Sequence, residues 1–210
     1  MTGKAPVKDW SLYQRLPGLV LGFHGCDESV GEAILAGTQK NLNASQNDYD
    51  WLGSGIYFWE NDPSRALLFA EEAKASGRVS KGSIKRPFVL GAVIDLGLCL
   101  NLMDITALGE VAGAYAAYVD AMKPLPDKKM ARNEGGPDRL KRDLDCAVIQ
   151  TLHLMRKNAK KKKLPPYDTV RSPFHEGGEL FDGSGFTKKC HVQVVVRSTS
   201  CIKGYFRPVC

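Results

Sequence analysis

Hydrophobic positions in this chain follow two periodicities, one typical of strands and the other of helices. Short apolar runs bounded by Gly, Pro or polar residues predict strands, and they occur at 18–27, 55–58, 87–102, 167–174, 191–198 and 201–208. Apolar residues at helical spacing predict two short helices, ESVGEAILAG (28–37) and PSRALLFAEEAKASG (63–77). Asp62 followed by Pro63 is a typical N-cap and first helical position, so the second helix is expected to begin there.

The middle of the chain has a different character. ITALGEVAGAYAAYVDAMK (105–123) and RDLDCAVIQTLHLMRKNAKKKK (142–163) both carry helical periodicity, and the Pro/Gly-rich segment PLPDKKMARNEGGPD separates them. Strand character returns after this region. We therefore expect one α+β domain over residues 1–210, built on a β-rich sheet that a helical insertion interrupts at about 104–164.

The composition is that of a chain with a single hydrophobic core. Its 210 residues are 43% hydrophobic, which is enough for one folded unit. No run of roughly 18 or more apolar residues occurs, so we expect no membrane span, and MTGKAPVKDW lacks the apolar core of a signal peptide. The six cysteines are far apart, without a CxxC pair or metal-ligand spacing, which favours reduced, mostly buried thiols. These features predict a cytoplasmic protein.

The chain is moderately basic. Its formal net charge of +6 favours polyanionic partners, although many ordinary proteins are equally basic. Much of the excess lies in RKNAKKKK (156–163). This segment is either a solvated helix end or a patch that contacts phosphates.

Three short motifs follow one another along the chain. FHG (23–25) lies in the first predicted strand, GSGIYF (53–58) joins a glycine turn to the second, and HVQVVV (191–196) is a late strand. This ordered set resembles the diphtheria-toxin-like ADP-ribosyltransferases, a group that includes the poly(ADP-ribose) polymerases, over about 20–72 and 167–207. The signature of that family is a histidine, a tyrosine and a third residue, usually glutamate, on separate strands. The resemblance implies a split antiparallel β-sheet and NAD⁺ as substrate.

The resemblance assigns NAD⁺-binding roles to residues of the first two motifs. His24 would hydrogen-bond a ribose hydroxyl of the adenosine half, and the backbone of Gly25 would clasp the nicotinamide carboxamide. Gly25 suits that role because a residue without Cβ permits close backbone approach. Tyr57 would stack on the nicotinamide ring, a contact worth about 0.5–1.5 kcal/mol beyond area burial. Gly55 and Phe58 complete the predicted binding set around Tyr57.

The resemblance implies two further contacts with NAD⁺, and each has an alternative interpretation. Ser64 matches the family serine that also touches the carboxamide, and Arg65, one residue along, is the alternative match. Arg171 either meets the NAD⁺ pyrophosphate or forms a structural pair with Asp168.

The third signature position holds Gln193 instead of glutamate. In the family, that glutamate accepts a hydrogen bond from the nicotinamide-ribose 2′-hydroxyl and stabilises positive charge on the sugar. Glutamine keeps the acceptor oxygen but loses a charge worth about 4 kcal/mol at about 4 Å and an effective dielectric of about 20. A neutral amide is no general base, so Glu176 or Glu179 in the glycine-rich loop FHEGGELFDGSGF is expected to take the acceptor's proton. The alternative is that both are merely exposed loop carboxylates.

The resemblance therefore predicts a mono-ADP-ribosyltransferase, because the missing glutamate disfavours elongation of a polymer. The positive charge, with Lys188 and Lys189 beside the loop, favours a nucleic-acid acceptor, RNA in particular, and a protein acceptor is the close alternative. No reader module or zinc finger accompanies the motifs, as in stand-alone bacterial toxins and phage-defence effectors, and a toxin would need a neutralising antitoxin partner. Two other interpretations stay open: an NAD glycohydrolase that uses water, and an inactive module that binds NAD⁺ or nucleic acid.

Overall fold

Short strands and helices alternate along the first half of the chain and return after a helical middle. The structure, a computed structural model, describes residues 18–76, 84–125, 127–159 and 164–209. Its helices are α1 (Glu28–Leu35), α2 (Pro63–Ser76), α3 (Ile105–Met122) and α4 (Asp143–Asn158). Its strands are β1 (Leu19–Asp27), β2 (Ile56–Glu60), β3 (Pro87–Asp95), β4 (Cys99–Asn101), β5 (Asn133–Glu134), β6 (Lys141–Arg142), β7 (Thr169–Phe174), β8 (His191–Val196) and β9 (Ile202–Phe206).

Seven of these strands form one mixed sheet in the order β4-β7-β8-β2-β1-β3-β9. Every neighbouring pair is antiparallel except β4 and β7, which run parallel. The short strands β5 and β6 pair with each other in a separate hairpin. The predicted α+β class is therefore confirmed, with a sheet that is mostly antiparallel.

The apolar run 87–102 differs from its prediction as one strand-like segment. It forms two strands, β3 and β4, because Gly97 turns the chain with a φ of 56°. β3 pairs with β1 in the body of the sheet, whereas β4 pairs with β7 at the opposite edge. A continuous apolar run thus supplies two distant parts of the same sheet.

The start of α2 agrees with the sequence signal. Pro63 is the first residue of the helix, and the Asp62 carboxylate accepts a hydrogen bond from the backbone N–H of Arg65 at 2.8 Å, as an N-cap residue does. The predicted end of this helix at Gly77 lies outside the described residues.

β1 and β2 share only a short seam. β1 pairs with β3 along its whole length, Leu19–Asp27, but with β2 only at Gly22↔Glu60 and Phe23↔Trp59. Beyond Phe23 the backbone ladder between β1 and β2 stops. Within the sheet, the C-terminal part of β1 therefore pairs with β3 and no longer with β2.

Both faces of the sheet are covered. On one face, Leu90 and Phe58 belong to the core cluster that packs beneath α1. On the other, α2 covers the β1–β3 side through Ala66, and α4 covers the β8 side, where Ile149 packs in one cluster with Val195. The second face therefore carries two separate groups of helices.

The two helices predicted for the middle segment are present as α3 and α4. Ala114 of α3 and Leu152 of α4 are buried in one cluster with Leu100, Val170 and Val195 of the sheet. The insertion is thus a layer of the main core, and the lysines at 160–163 lie outside the described residues. None of the helices in the described ranges is both long and apolar enough to cross a bilayer.

The prediction of reduced, mostly buried thiols agrees with the described cysteines. Five of them are free, and of these Cys190 alone is exposed. Burial raises the pKa of the other four thiols to about 11, and these are Cys26, Cys99, Cys146 and Cys201. They are therefore protonated, unreactive core residues at neutral pH.

Candidate functional site

Three neighbouring strands carry the three signature residues. Tyr57 lies on β2, between β1 with His24 and β8 with Gln193. In the β2–β8 register, Tyr57 lies opposite Val195 and Trp59 lies opposite Gln193. Since alternate residues of a strand share a face and opposed residues point the same way, Tyr57, Trp59 and Gln193 are on one face. We call this the tyrosine face; it is the face that α2 and α4 cover.

The imidazole of His24 is fixed against the backbone of β2. Its Nδ1 lies 2.7 Å from the carbonyl oxygen of Tyr57, and because a carbonyl only accepts, Nδ1 carries the proton and donates it. Burial lowers the pKa of His24, so the ring is neutral at pH 7 and its Nε2 offers a lone pair. The ring also meets that of Phe58, with 5.9 Å between centroids. His24 and the ring of Tyr57 thus flank the β1–β2 seam from opposite faces.

Tyr57 is half-buried and tied to the turn that precedes it. Its hydroxyl donates to the carbonyl oxygen of Gly53 at 2.8 Å and accepts from the N–H of Leu52 at 3.1 Å. Its ring packs against the cluster that contains Ile149, and desolvation raises the pKa of the phenol. The side chain is therefore a neutral, immobile platform next to the seam.

The amide of Gln193 is oriented by a tryptophan. Nε1 of Trp51 lies 2.7 Å from Oε1 of Gln193, and because an indole nitrogen only donates, this contact identifies the oxygen end of the amide. The side chain is half-buried on β8, opposite Ser172 of β7. Gln193 is thus held at one position, with a lone pair of Oε1 and its amide N–H groups left for a ligand.

Gly25 and Gly55 are needed for packing inside the protein. A Cβ on Gly25 would lie 2.2 Å from the carbonyl oxygen of Ala66 in α2. A Cβ on Gly55 would lie 2.5 Å from Cγ1 of Val195 and 2.7 Å from the carbonyl oxygen of Val196. Close approach of neighbouring backbone therefore accounts for both glycines without a ligand, and the roles predicted for them stay predictions.

Two predicted NAD⁺ contacts lie away from the tyrosine face. Phe58 is fully buried in the core cluster with Ile56 because strand alternation turns it towards the core, and its role as a ligand contact stays a prediction. Ser64 is exposed on the first turn of α2, whereas Arg65 turns towards the sheet with its side chain 10% exposed. Of the two alternative matches, Arg65 is the one beside the site.

Arg171 is committed to a carboxylate on the opposite face. Its Nε and Nη2 donate to Glu60 at 2.5 and 2.7 Å, and the alternative pairing with Asp168 is not formed. Asp168 instead accepts from the N–H of Leu98 at 2.9 Å. Because Glu60 takes both of these donors, the predicted contact of Arg171 with a pyrophosphate does not fit this arrangement.

The two loop carboxylates have different surroundings. Glu176 is 9% exposed and forms a buried ion pair with Nη2 of Arg65, so the prediction of an exposed loop carboxylate is wrong for Glu176. Glu179 is exposed and accepts from the N–H of Gly183 at 2.9 Å, inside a hairpin closed by the bridge between Glu179 and Thr187. Of the two, only Glu179 remains an accessible carboxylate.

The tyrosine face also carries four rings that the sequence motifs do not mark. Ring centroids are 4.7 Å apart for Trp51 and Phe174, 5.5 Å for Phe174 and His191, and 6.1 Å for Trp59 and His191. We call these four side chains the aromatic patch. The guanidinium of Arg142 lies 4.5 Å from the Phe174 centroid, a cation–π contact. The sequence contains one signal that could have indicated this patch: two of the chain's three tryptophans flank the GSGIYF motif.

Four buried nitrogen atoms near the aromatic patch have no hydrogen-bond partner in the part of the chain that the structure describes. They are Nε1 of Trp59, Nε and Nη1 of Arg65, and Nε2 of His191. The guanidinium carbon of Arg65 lies 5.4 Å from the Trp59 centroid. Each such atom costs about 1–3 kcal/mol and such atoms are rare in native proteins. A ligand that supplied their partners would therefore be bound favourably here.

Other surfaces offer less. A cavity of about 680 Å³ is lined by residues between 129 and 143 and includes none of the predicted site residues. Within the described ranges, no group of three or more His, Cys, Asp and Glu side chains is arranged to hold a metal ion.

Comparison with protein-family models, with curated proteins and with solved structures finds no match for this chain. Its function is therefore argued from the site itself.

Proposed function

We propose that this protein is a mono-ADP-ribosyltransferase that cleaves NAD⁺, releases nicotinamide and transfers ADP-ribose to a nucleic-acid acceptor, RNA in particular. The observation that carries the proposal is the position of His24, Tyr57 and Gln193 on three adjacent strands, β1, β2 and β8. His24 and Tyr57 flank the β1–β2 seam, and Gln193 lies on the strand at the other edge of β2. The short β1–β2 ladder also supports the split antiparallel sheet that the family resemblance implies.

The chemistry of the three side chains fits NAD⁺ cleavage. Positive charge grows on the ribose as its bond to nicotinamide stretches, and the fixed dipole of Gln193 stabilises that charge without having to reorient. The half-buried ring of Tyr57 gives the nicotinamide a surface for stacking. The unprotonated Nε2 of His24 accepts a hydrogen bond from a ribose hydroxyl. A dipole stabilises the sugar cation less than a carboxylate would, which favours a single transfer over polymer growth.

Charge supports a polyanionic acceptor. The chain carries a net charge of +6, and Lys188 beside the Glu176–Glu179 loop is exposed. Lys189, predicted with it, is paired with Glu72 at 2.5 Å and contributes less. A role as a toxin or phage-defence effector, an antitoxin partner and a cytoplasmic location belong to the same proposal.

One assay tests the proposal against its alternatives. The protein is incubated with NAD⁺ labelled in its adenosine half and with total cell extract, and the products are digested with nuclease or protease. Nuclease-sensitive label is the expected result. Protease-sensitive label indicates a protein acceptor, label found only as free ADP-ribose indicates a glycohydrolase, and no release of nicotinamide contradicts enzymatic function altogether.

Variants of Gln193 tie the activity to the site. Gln193→Ala should lose nicotinamide release, because it removes the fixed acceptor oxygen. Gln193→Glu keeps the shape and the hydrogen bond from Trp51 and restores the charge, so nicotinamide release should be preserved or raised. Full activity of Gln193→Ala would mean that this residue is not the third signature position.

A further inference from the structure

A cluster of buried polar side chains lies beside Gln193, and cleavage of NAD⁺ by the three signature residues does not use it. Trp59 of β2, Arg65 of α2 and His191 of β8 form it, and we call it the His191 pocket. The Trp59 and His191 centroids are 6.1 Å apart, and the Arg65 guanidinium carbon is 5.4 Å from the Trp59 centroid. His191 is two residues from Gln193 on one strand, so both point to the tyrosine face.

The pocket presents a defined set of atoms that have no partner within residues 18–76, 84–125, 127–159 and 164–209. Three are N–H donors, Nε1 of Trp59 and Nε and Nη1 of Arg65, and the fourth is Nε2 of His191. His191 is 6% exposed, so Nε2 is closed off from bulk solvent. A group that fills the pocket must accept hydrogen bonds at one atom and interact with Nε2 at another.

The tautomer of His191 decides what Nε2 can do. Nδ1 lies 2.7 Å from the carbonyl oxygen of Lys189, so Nδ1 carries the proton and Nε2 carries the lone pair. Burial lowers the pKa of His191, and the hydrogen bond to Lys189 opposes this. The charged groups that face the ring are Arg65, which lowers the pKa, and Glu176 and Asp62, which raise it. The net shift is downward, so the ring is neutral at pH 7 and Nε2 is a proton acceptor.

The charge of the pocket favours a neutral ligand. Glu176 engages Nη2 of Arg65 and compensates its positive charge, while Nε and Nη1 stay free. With His191 neutral, the pocket is close to electrically neutral, which disfavours a phosphate dianion. Trp51 and Phe174 next to it, with 4.7 Å between centroids, add apolar ring surface.

We propose that the His191 pocket binds the acceptor as a nucleobase in which a ring N–H adjoins a ring carbonyl, as in uracil and guanine. This inference rests on the proposed function and names the chemical class of its acceptor. The carbonyl oxygen of the base accepts from Arg65 and Trp59, and the ring N–H donates to Nε2 of His191. The aromatic patch supplies a surface on which the base stacks.

The transfer step balances with His191 as the proton acceptor. The electron pair of the ring nitrogen forms the new bond to C1′ of the nicotinamide ribose. The bond from C1′ to the nicotinamide nitrogen breaks, and its electron pair leaves with neutral nicotinamide. The proton of the ring N–H passes to Nε2 of His191, which releases it after the modified base has left the pocket.

The donor and acceptor pattern also says which bases are rejected. Adenine and cytosine carry an unprotonated ring nitrogen beside an exocyclic amino group, the reverse of the lactam edge. In the His191 pocket they would place a lone pair against Nε2 and N–H donors against the donors of Arg65. Discrimination should therefore follow the edge of the base and be independent of its size.

The test compares single-stranded RNA homopolymers that differ in this edge. Poly(U) is compared with poly(C), and poly(I) with poly(A), at low salt with labelled NAD⁺. Hypoxanthine and adenine are matched in size and differ at this edge. Because a site built to hydrogen-bond one edge rejects the other strongly, poly(U) and poly(I) should be labelled at least about 100-fold more than their partners.

Each other outcome has a defined meaning. Equal labelling of all four polymers, or labelling of added protein only, overturns this inference and leaves the transferase activity standing. Absence of nicotinamide release from every mixture contradicts the proposed function, and this inference fails with it.

Two variants separate His191 from the loop carboxylate. His191→Gln should lower transfer to poly(U) by about 100-fold or more, as loss of a general base does, with NAD⁺ affinity changed by less than about threefold. Glu179→Gln removes the exposed carboxylate that the sequence predicts as a base, and it should lower transfer to poly(U) less than His191→Gln does. If Glu179→Gln loses transfer and His191→Gln keeps it, the role given to His191 is overturned.

A third variant keeps the test decisive should His191→Gln fail to fold. Arg65→Lys retains a cation for Glu176 but removes the Nε and Nη1 donors. It should reduce the preference for poly(U) over poly(C) by at least about tenfold. An unchanged preference contradicts the placement of the base carbonyl at Arg65.

Discussion

Two buried arginine–glutamate pairs join the same two parts of the chain, and they are built differently. Arg171 and Glu60 meet through two hydrogen bonds, 2.5 Å from Nε to Oε2 and 2.7 Å from Nη2 to Oε1. Arg65 and Glu176 meet through Nη2 alone, and Nε and Nη1 of Arg65 have no partner among the described residues. The side chains are similarly buried, 17% and 11% exposed in the first pair and 10% and 11% in the second.

The difference separates a pair that serves the fold from one that is prepared for a ligand. A bidentate contact satisfies most of the guanidinium of Arg171, so this arginine has little left to offer a substrate. Arg65 keeps two donors unused, which costs stability in the free protein and is recovered when a ligand accepts from them. The sequence pointed to Arg171 for the pyrophosphate, whereas the free donors belong to Arg65.

Arg171→Met should have the largest effect on stability. It leaves the buried carboxylate of Glu60 without its partner, and breaking a buried pair in this way costs about 3–5 kcal/mol. Urea unfolding monitored by circular dichroism measures the loss. The double variant Arg171→Met/Glu60→Met removes both charges and should recover most of it. A loss below about 1 kcal/mol in the single variant would place this pair with ordinary surface salt bridges.

Arg65→Met also leaves a buried carboxylate, that of Glu176, without its partner, but it removes two unpartnered N–H groups at the same time, so its cost should be smaller than that of Arg171→Met. Transfer of ADP-ribose should fall at the same time, since the free donors are lost. Urea unfolding and the nicotinamide-release and labelling assays on the same preparation measure both quantities. If Arg65→Met destabilises the protein as much as Arg171→Met, the two pairs are not different in kind.

Acid should destabilise the folded protein through its buried histidines. Burial lowers the pKa of His24 and His191, and that of His153 to about 3. Below about pH 6.5 the unfolded chain takes up protons that the folded protein refuses, so the unfolding free energy falls by up to about 1.4 kcal/mol per pH unit for each histidine.

This stability is fully present above about pH 6.5 and is lost as the pH falls towards the folded-state pKa values. Urea unfolding at a series of pH values gives the slope. His191→Gln should reduce the slope. A slope that His191→Gln does not alter would contradict a neutral, buried His191.

Trp51→Phe should have the smallest effect on stability. It keeps the ring contact with Phe174 and removes the N–H that orients Gln193, one hydrogen bond worth about 0.5–1.5 kcal/mol. Nicotinamide release should fall by up to about tenfold, because the freed amide has to be reordered in each turnover. Wild-type release with a mobile Gln193 amide in NMR spectra would remove the positioning role of Trp51.

Much of the fold could be predicted from the sequence because its elements carry local signals. Asp62 and Pro63 mark the start of α2, and short apolar runs mark most strands of the sheet. The break at Gly97 was missed because an apolar run looks the same whether it continues or turns. The order of strands was not predictable in this way, since it depends on contacts between distant segments.

The candidate site shows the same division. His24, Tyr57 and Gln193 were found through short motifs that stand at strand positions. The bond from Trp51 to Gln193 and the pairing of Arg65 with Glu176 arise only when distant strands are brought together, and no local pattern encodes them. The burial of Phe58 was not predictable, because the motif does not say which face of its strand meets the core.

The helical segment between β4 and β7 supports the candidate site. Tyr57 packs against the cluster that contains Ile149 and Leu152 of α4. The ring is therefore supported by a helix that lies outside the three signature strands. Transplanting β1, β2 and β8 into a smaller scaffold would leave that ring without backing. A smaller version of the protein would need another apolar element in place of α4 to keep the Tyr57 ring in position.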